Sequence, residues 1–187
     1  MRLRSGLLIG IFGLIVVLLG GWVFTLATAL LTYLALLEFF RMAEFKGIKP
    51  ATKTTLFSSF VIIISTYLET TGFIEGEISN SILPISSVGI CTWLLLQPKP
   101  GTISDIAASI FGLFYLGFLP SYWIKLRGLD SVMISSTQGF ISFENLSNTT
   151  GLHLTLTSCF LIVASDIGSY FIGKSFGKTS LSPISPS

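Results

Sequence analysis

Charge is what this sequence has least of. Of its 187 residues 11% are charged, less than half the roughly 25% usual in soluble domains. A globule of this length could not cover its surface with so few charges, which excludes a water-soluble domain. The net charge is only +2, and no basic stripe with interleaved aromatics is present, so nucleic acid is not an expected partner. Cysteine is scarce as well. Cys91 and Cys159 lie inside apolar runs, without CxxC or Cys/His spacing, and read as ordinary buried thiols that say nothing of redox compartment. The one histidine, His153, has no ligand partner nearby in sequence, so a metal role is not expected of it. No repeat of helical-array period is present.

What is abundant is apolar sequence in long runs. Hydrophobic residues make up 51% and the mean hydropathy is +0.81, which points to lipid as the solvent. Six apolar segments are expected to be helices: Leu7–Leu19, Trp22–Phe40, Leu56–Leu68, Ile82–Leu96, Ile103–Trp123 and Leu152–Ile172. A span needs about 20 residues, so the first is short, and Gly20-Gly21 reads as the turn of a hairpin, or of a re-entrant pair, joining it to the second. The third and fourth are short too and are extended by flanking Thr and Ser residues. Arg2 and Arg4 before this run resemble the start of a signal peptide. The apolar character nevertheless continues through Leu37 without a cleavage pattern, which favours an uncleaved anchor. The fold class expected is all-α, a polytopic integral membrane protein of about six transmembrane helices, with residues 1–187 forming one membrane domain.

The connections give an orientation. With the amino terminus in the cytoplasm, nine of the basic residues fall inside: Arg2, Arg4, Arg41, Lys46, Lys49, Lys53, Lys99, Lys174 and Lys178. Lys125 and Arg127 alone fall outside. The positive-inside rule favours this arrangement. It makes residues 124–151 an extracytoplasmic loop and 173–187 a cytoplasmic tail, in a multi-pass protein of the cell (plasma or inner) membrane.

The densest polar constellation follows the last segment. Asp166 lies inside an apolar run, where an ionised carboxylate costs on the order of 3 kcal/mol. Such a group faces a bundle interior, a water-filled cavity or a cation, or else caps a helix at the interface or pairs with Lys174. On a helix Asp166, Ser169 or Tyr170, and Gly173 share a face, and Lys174 and Lys178 are one turn apart. A carboxylate and two ammonium groups beside glycine-rich backbone suit a nucleoside triphosphate, the Asp holding Mg2+ and the lysines phosphate oxygens. A second cluster, Glu38–Glu44, ends the second segment. Glu38 and Arg41 are spaced to pair at the interface, and the alternative puts Arg41 near a lipid phosphate. Lys46 to Lys53 form a small basic surface suited to anionic headgroups. Asp105 reads as a charge at a helix amino terminus.

The run SDIGSYFIGKSFGKTSLSPISPS, Ser165–Ser187, resembles the bacterial CDP-diacylglycerol synthases, or phosphatidate cytidylyltransferases. In that family the pattern Asp-x-Gly-x-Tyr-x-x-Gly-x-x-x-Gly-Lys-x-x-x-x-Pro-x-Ser-Pro follows a membrane span. Asp166, Gly168, Tyr170, Gly173, Gly177, Lys178, Pro183, Ser185 and Pro186 occupy its places, and EFFRM, Glu38–Met42, is also similar. The resemblance implies Mg-dependent transfer of CMP from CTP to phosphatidate with release of pyrophosphate, a step of phospholipid biosynthesis. Asp166 would organise metal or phosphate, Lys174 and Lys178 would hold phosphates, and Ser182 and Ser185 would donate hydrogen bonds. Arg41 would lie near the lipid phosphate, and a homodimer is implied by the family alone. The family continues past its Ser-Pro step into further spans and an acidic signature that completes the metal site. The resemblance therefore implies a fragment or truncated product, inactive alone. The rival classes are a transporter or assembly subunit with Asp166 on an ion path, and an inactive remnant of the synthase. Ion coupling would call for further mid-membrane ionisable residues, and none is placed there.

Overall fold

The computed structural model describes residues 2–74, 76–98, 100–129 and 150–176. Every regular element among them is helical: α1 Arg2–Leu19, α2 Gly21–Phe45, α3 Thr52–Thr70, α4 Ile78–Leu95, α5 Ile103–Phe111, a π-helical segment Gly112–Phe118, α6 Ser121–Arg127 and α7 Thr150–Phe176. The segment α5–π–α6 forms one apolar rod, Ile103–Arg127. With α2, α4 and α7 it supplies four helices long and apolar enough to cross a bilayer, and Ile9–Leu19 is a shorter apolar stretch. Among the described residues six helical rods thus stand where six apolar segments are expected, and the protein is a polytopic membrane protein. The fifth segment does not end at Trp123, since α6 runs on to Arg127, and α7 begins at Thr150.

The first two segments are separate helices broken at Gly20. This residue has φ +60° and ψ −155°, a region open in practice only to glycine. A side chain there would also collide, because a Cβ would lie 2.7 Å from Nη2 of Arg127. Arg127 comes from the far end of the α5–α6 rod and is 7% exposed. Its Nε donates to the Val17 carbonyl at 2.9 Å and its Nη2 approaches the Leu18 carbonyl at 3.4 Å. Helix ends leave carbonyls without intrahelical partners, and this guanidinium takes up two of those at the end of α1.

The centre of the bundle is α3, which packs against α2, α4 and the α5–α6 rod. Its buried face mixes Ile62 and Ile63 with Thr55, Ser58, Ser59, Ser65 and Thr66. The hydroxyls do not need partners from other helices. Thr55 donates to the Ala51 carbonyl, Ser59 to Thr55, and Ser65 and Thr66 to Ile62. Back-bonding of this kind lets small polar residues sit in a low-dielectric core. Their small size also lets the rods approach closely: a Cβ on Gly117 of the π segment would lie 2.3 Å from the Ser59 hydroxyl, and one on Gly112 would lie 2.9 Å from the Phe40 ring. The core on either side is Ile62, Ile90, Leu94, Leu113 and Phe118, and Val16, Phe24, Ile63, Tyr67 and Ile124.

The bundle has two unlike ends. At one, here the basic end, the α2–α3 connection meets the α4–α5 connection. At the opposite end the α3–α4 connection meets α6, the break at Gly20 and the start of α7, where a Cβ on Gly151 would touch the Arg127 carbonyl.

Candidate functional site

The basic end is built by two turns with clear sequence causes. Helix α2 stops at Lys46, and Gly47 follows with φ +81°. The Gly47 N–H donates to the Glu44 carbonyl and the Ile48 N–H to the Ala43 carbonyl, the paired bonds of a Schellman ending that favours glycine. Pro50 then prevents the helix from resuming at once. On the other side Thr102 and Asp105 form a capping box at the start of α5: the Asp105 N–H donates to the Thr102 hydroxyl at 3.3 Å, and the Thr102 N–H to Asp105 Oδ2 at 2.7 Å.

Asp105 does more than cap. It is 6% exposed, and its Oδ1 accepts the Lys49 N–H at 2.6 Å. One turn on, the Ser109 hydroxyl accepts the Ala51 N–H at 2.9 Å and donates to the Asp105 carbonyl at 2.7 Å. The expectation of a helix-terminus charge is met, and a second role is added, that of anchoring the 46–51 loop. The two turns enclose a cavity of about 460 Å3, whose lining includes Lys46, Lys49, Gln97, Thr102, Ser104 and Asp105.

The opposite end holds its charges differently. Glu69, whose side chain is 8% exposed, pairs with Lys125 at 3.4 Å. It also accepts hydrogen bonds from the Ser79 N–H and, at 2.8 Å, from the Ser79 hydroxyl.

The candidate residues taken from the sequence lie on α7 and α2. Asp166 and Lys174 are both on α7, two turns apart. Asp166 is 16 residues past Thr150, which places it roughly 24 Å along the helix axis, most of the way across about 30 Å of hydrocarbon. From Phe160 to Ser175 every α7 residue is exposed except half-buried Gly168. The Ser169 hydroxyl donates to the Asp166 carbonyl at 2.9 Å, and Lys174 Nζ lies 5.9 Å from the centre of the Tyr170 ring. Neither an ion pair nor a hydrogen bond engages the Asp166 carboxylate among the described residues. The alternative of an Asp166–Lys174 pair is therefore not realised, because a separation of eight residues is too long for one helical reach. Glu38 and Arg41 are both exposed and do not pair, as exposed ions gain little by doing so. No ion pair joins Arg41 to Asp166 among the described residues. Lys178, Ser182 and Ser185, with most of the 124–151 loop and the 177–187 tail, lie outside the described residues. Sequence reasoning missed the cavity at the basic end. The signals for it were Gly47 and the Thr102/Asp105 spacing, each readable as a turn but not as a pair.

Metal capacity follows from the donor set. Among the described residues no three His, Cys, Asp or Glu side chains converge. Asp166 offers one carboxylate, which fits a hard cation held chiefly by phosphates and water and not an all-protein cage.

Comparisons with known proteins cover the whole chain. The cytidylyltransferase family matches residues 1–187. A phosphatidate cytidylyltransferase of Synechocystis is 41% identical over 177 residues, 90% of this chain and 58% of that protein. The chloroplastic phosphatidate cytidylyltransferase 5 of Arabidopsis thaliana is 36% identical over 99% of the chain and 48% of its own length. The phosphatidate cytidylyltransferase of Bacillus subtilis is 28% identical over 99% of the chain and 62% of its own length. The chain thus spans about half to three fifths of these relatives. No solved structure matches it.

Proposed function

The chain belongs to the cytidylyltransferase family, and from that premise we propose that it is a membrane-embedded part of a phosphatidate cytidylyltransferase that makes CDP-diacylglycerol. A phosphate oxygen of phosphatidate attacks the α-phosphorus of CTP. The new P–O bond forms as the bond from the α-phosphorus to the oxygen bridging to the β-phosphorus breaks, and pyrophosphate leaves with that electron pair. The lipid supplies its own nucleophile, so the protein's tasks are positioning and charge neutralisation. The observation that carries the reading is the chain-long similarity to the Synechocystis enzyme.

In this reading Lys174 and Lys178 hold phosphate oxygens, Ser182 and Ser185 donate hydrogen bonds, and Arg41 attracts the lipid phosphate. Asp166 contributes one ligand to Mg2+, which when bound neutralises charge on the departing pyrophosphate. The amino terminus and the basic end face the cytosol, where CTP is found, which agrees with the distribution of lysine and arginine. Residues 124–151 form the outer loop, 173–187 the inner tail, and the enzyme works as a homodimer. The start of α7 packs at the end opposite the lysines, which supports an Asp166 near the inner leaflet.

The test is CMP-labelled lipid formation from CTP and phosphatidate in membranes carrying the product of the whole gene. Asp166→Asn is expected to lower the rate at least 100-fold, as loss of a residue placing phosphate and metal does. Full activity in that variant would remove Asp166 from the mechanism, and no labelled lipid from the unaltered protein would end the reading.

A further inference from the structure

Asp166 sits on a stretch of α7 that its neighbours barely touch. From Phe160 to Ser175 every residue of the helix is exposed except half-buried Gly168, and its buried residues are Gly151, Leu152 and Thr155, all in the first two turns. Thr155 is 0% exposed and donates to the Gly151 carbonyl at 2.7 Å, which ties those two turns together. Against α6 and α1 the helix packs closely. Among the described residues α7 is therefore seated at one end only, the end opposite the lysines.

The seat is built around Arg127. A Cβ on Gly151 would lie 2.6 Å from the Arg127 carbonyl oxygen and 2.8 Å from that of Leu126. Two backbones meet there with no room for a side chain, and the obstructing atoms are main chain, which cannot turn aside as a flexible side chain can. On its other side Arg127 grips α1, its Nε donating to the Val17 carbonyl at 2.9 Å. The next residue, Gly128, abuts α3, since a Cβ on it would lie 2.9 Å from Cβ of Thr70. Arg127 and Gly128 thus join α1, α3 and α7 at the end of α6.

We propose that Arg127 and Gly151 are positioning residues for the transfer reaction, setting the tilt and depth of α7 and so the place of Asp166 from the far end of the bundle. The geometry is that of a lever. Asp166 is 15 residues beyond Gly151, roughly 22 Å along the axis, so a tilt of about 5° at the seat carries it roughly 2 Å sideways. A misplacement of about 1 Å from a distant change can slow a reaction on the order of 100-fold. The part in catalysis rests on the activity proposed above; the seating of α7 does not.

The test uses the product of the whole gene in micelles, with Cys91→Ser and Cys159→Ser. Nitroxides on Phe57→Cys and Ile172→Cys report α7 against α3, and nitroxides on Phe57→Cys and Ile78→Cys report α3 against α4, both read by double electron–electron resonance. In the protein with Arg127 and Gly151 intact, the Phe57–Ile172 distribution is expected to be narrow. A broad one there overturns the proposal without any change at the seat. Gly151→Ala is expected to shift or broaden that distribution by about 3 Å and to leave Phe57–Ile78 unchanged, which shows that the bundle is folded. Its kcat for CMP transfer is expected to fall on the order of 10- to 100-fold, with KM for CTP within about 3-fold. Arg127→Lys, whose ammonium serves one carbonyl in place of two, is expected to give a smaller change of the same kind. Gly89→Ala, at a glycine of α4 with open space around it, is expected to alter neither distance nor rate. An unmoved Phe57–Ile172 distance in both seat variants overturns the proposal, as does a displaced helix with undiminished kcat. Should the unaltered protein make no CDP-diacylglycerol, the proposed activity falls, and the distances still decide whether the seat holds α7.

Discussion

Glu69 and Asp105 are the same kind of group in the same kind of place, a carboxylate less than a tenth exposed at the end of a helix bundle. What differs is the partner. Glu69 is matched by a lysine side chain from another rod, so the charges at that end are consumed in holding α3, α4 and α6 together. Asp105 is matched by backbone donors, so the loop is held by groups every residue possesses and its lysine side chains stay available. One end uses charge as structure; the other uses the backbone as structure and leaves its lysine side chains out of the packing. A fold can therefore put like groups to opposite purposes, depending on which donor meets the carboxylate.

That contrast can be broken by substitution at either end, with unfolding followed by denaturant titration in micelles. The largest effect is expected from Arg127→Ala. It leaves the Val17 and Leu18 carbonyls at the α1 terminus without their donor and should cost about 3–5 kcal/mol, in the range for breaking a buried charged network. Asp105→Ala should follow at about 2–4 kcal/mol, because two charge-assisted bonds from the Lys49 and Thr102 N–H groups are lost. Unchanged stability in this variant would show that the loop holds without the carboxylate. Lys125→Met should cost only about 1 kcal/mol, the lysine side chain being 23% exposed and partly screened, with Glu69 still bonded to Ser79. The smallest effect is expected from Lys46→Gln/Lys49→Gln, within about 0.5 kcal/mol. A larger loss there would mean that these lysines serve the fold after all, and the contrast between the ends would fail.

Much of the architecture is legible in the sequence because lipid imposes a simple rule. Runs such as Trp22–Phe40 and Leu152–Ile172 have few alternatives to spanning helices, and Gly20-Gly21 marks a break that the backbone confirms with φ +60° at Gly20. The central position of α3 was not legible. Its Ser and Thr residues make Leu56–Leu68 look short and marginal, yet they bond to their own helix and so can be buried deepest. The π-helical segment has no sequence signature either, since it arises where Gly112 and Gly117 let Phe40 and Ser59 press against the rod. At the candidate site the order is reversed. Asp166 and Lys174 stand out as a motif on one helix, whereas the Asp105–Lys49 bond joins residues 56 positions apart and no local pattern announces it. Charge in an apolar run is visible one residue at a time; a cavity between two loops exists only once four helices have packed.

The bond between Arg127 and the end of α1 also sets a clock on biosynthesis. Val17 leaves the ribosome 110 residues before its partner does. At elongation rates of roughly 5–20 residues per second, that gap is about 5–20 s. For that interval the newborn first helix must rest in the translocon or the bilayer with its terminal carbonyls served by water or headgroups, and only the arrival of the fifth rod can lock it into place.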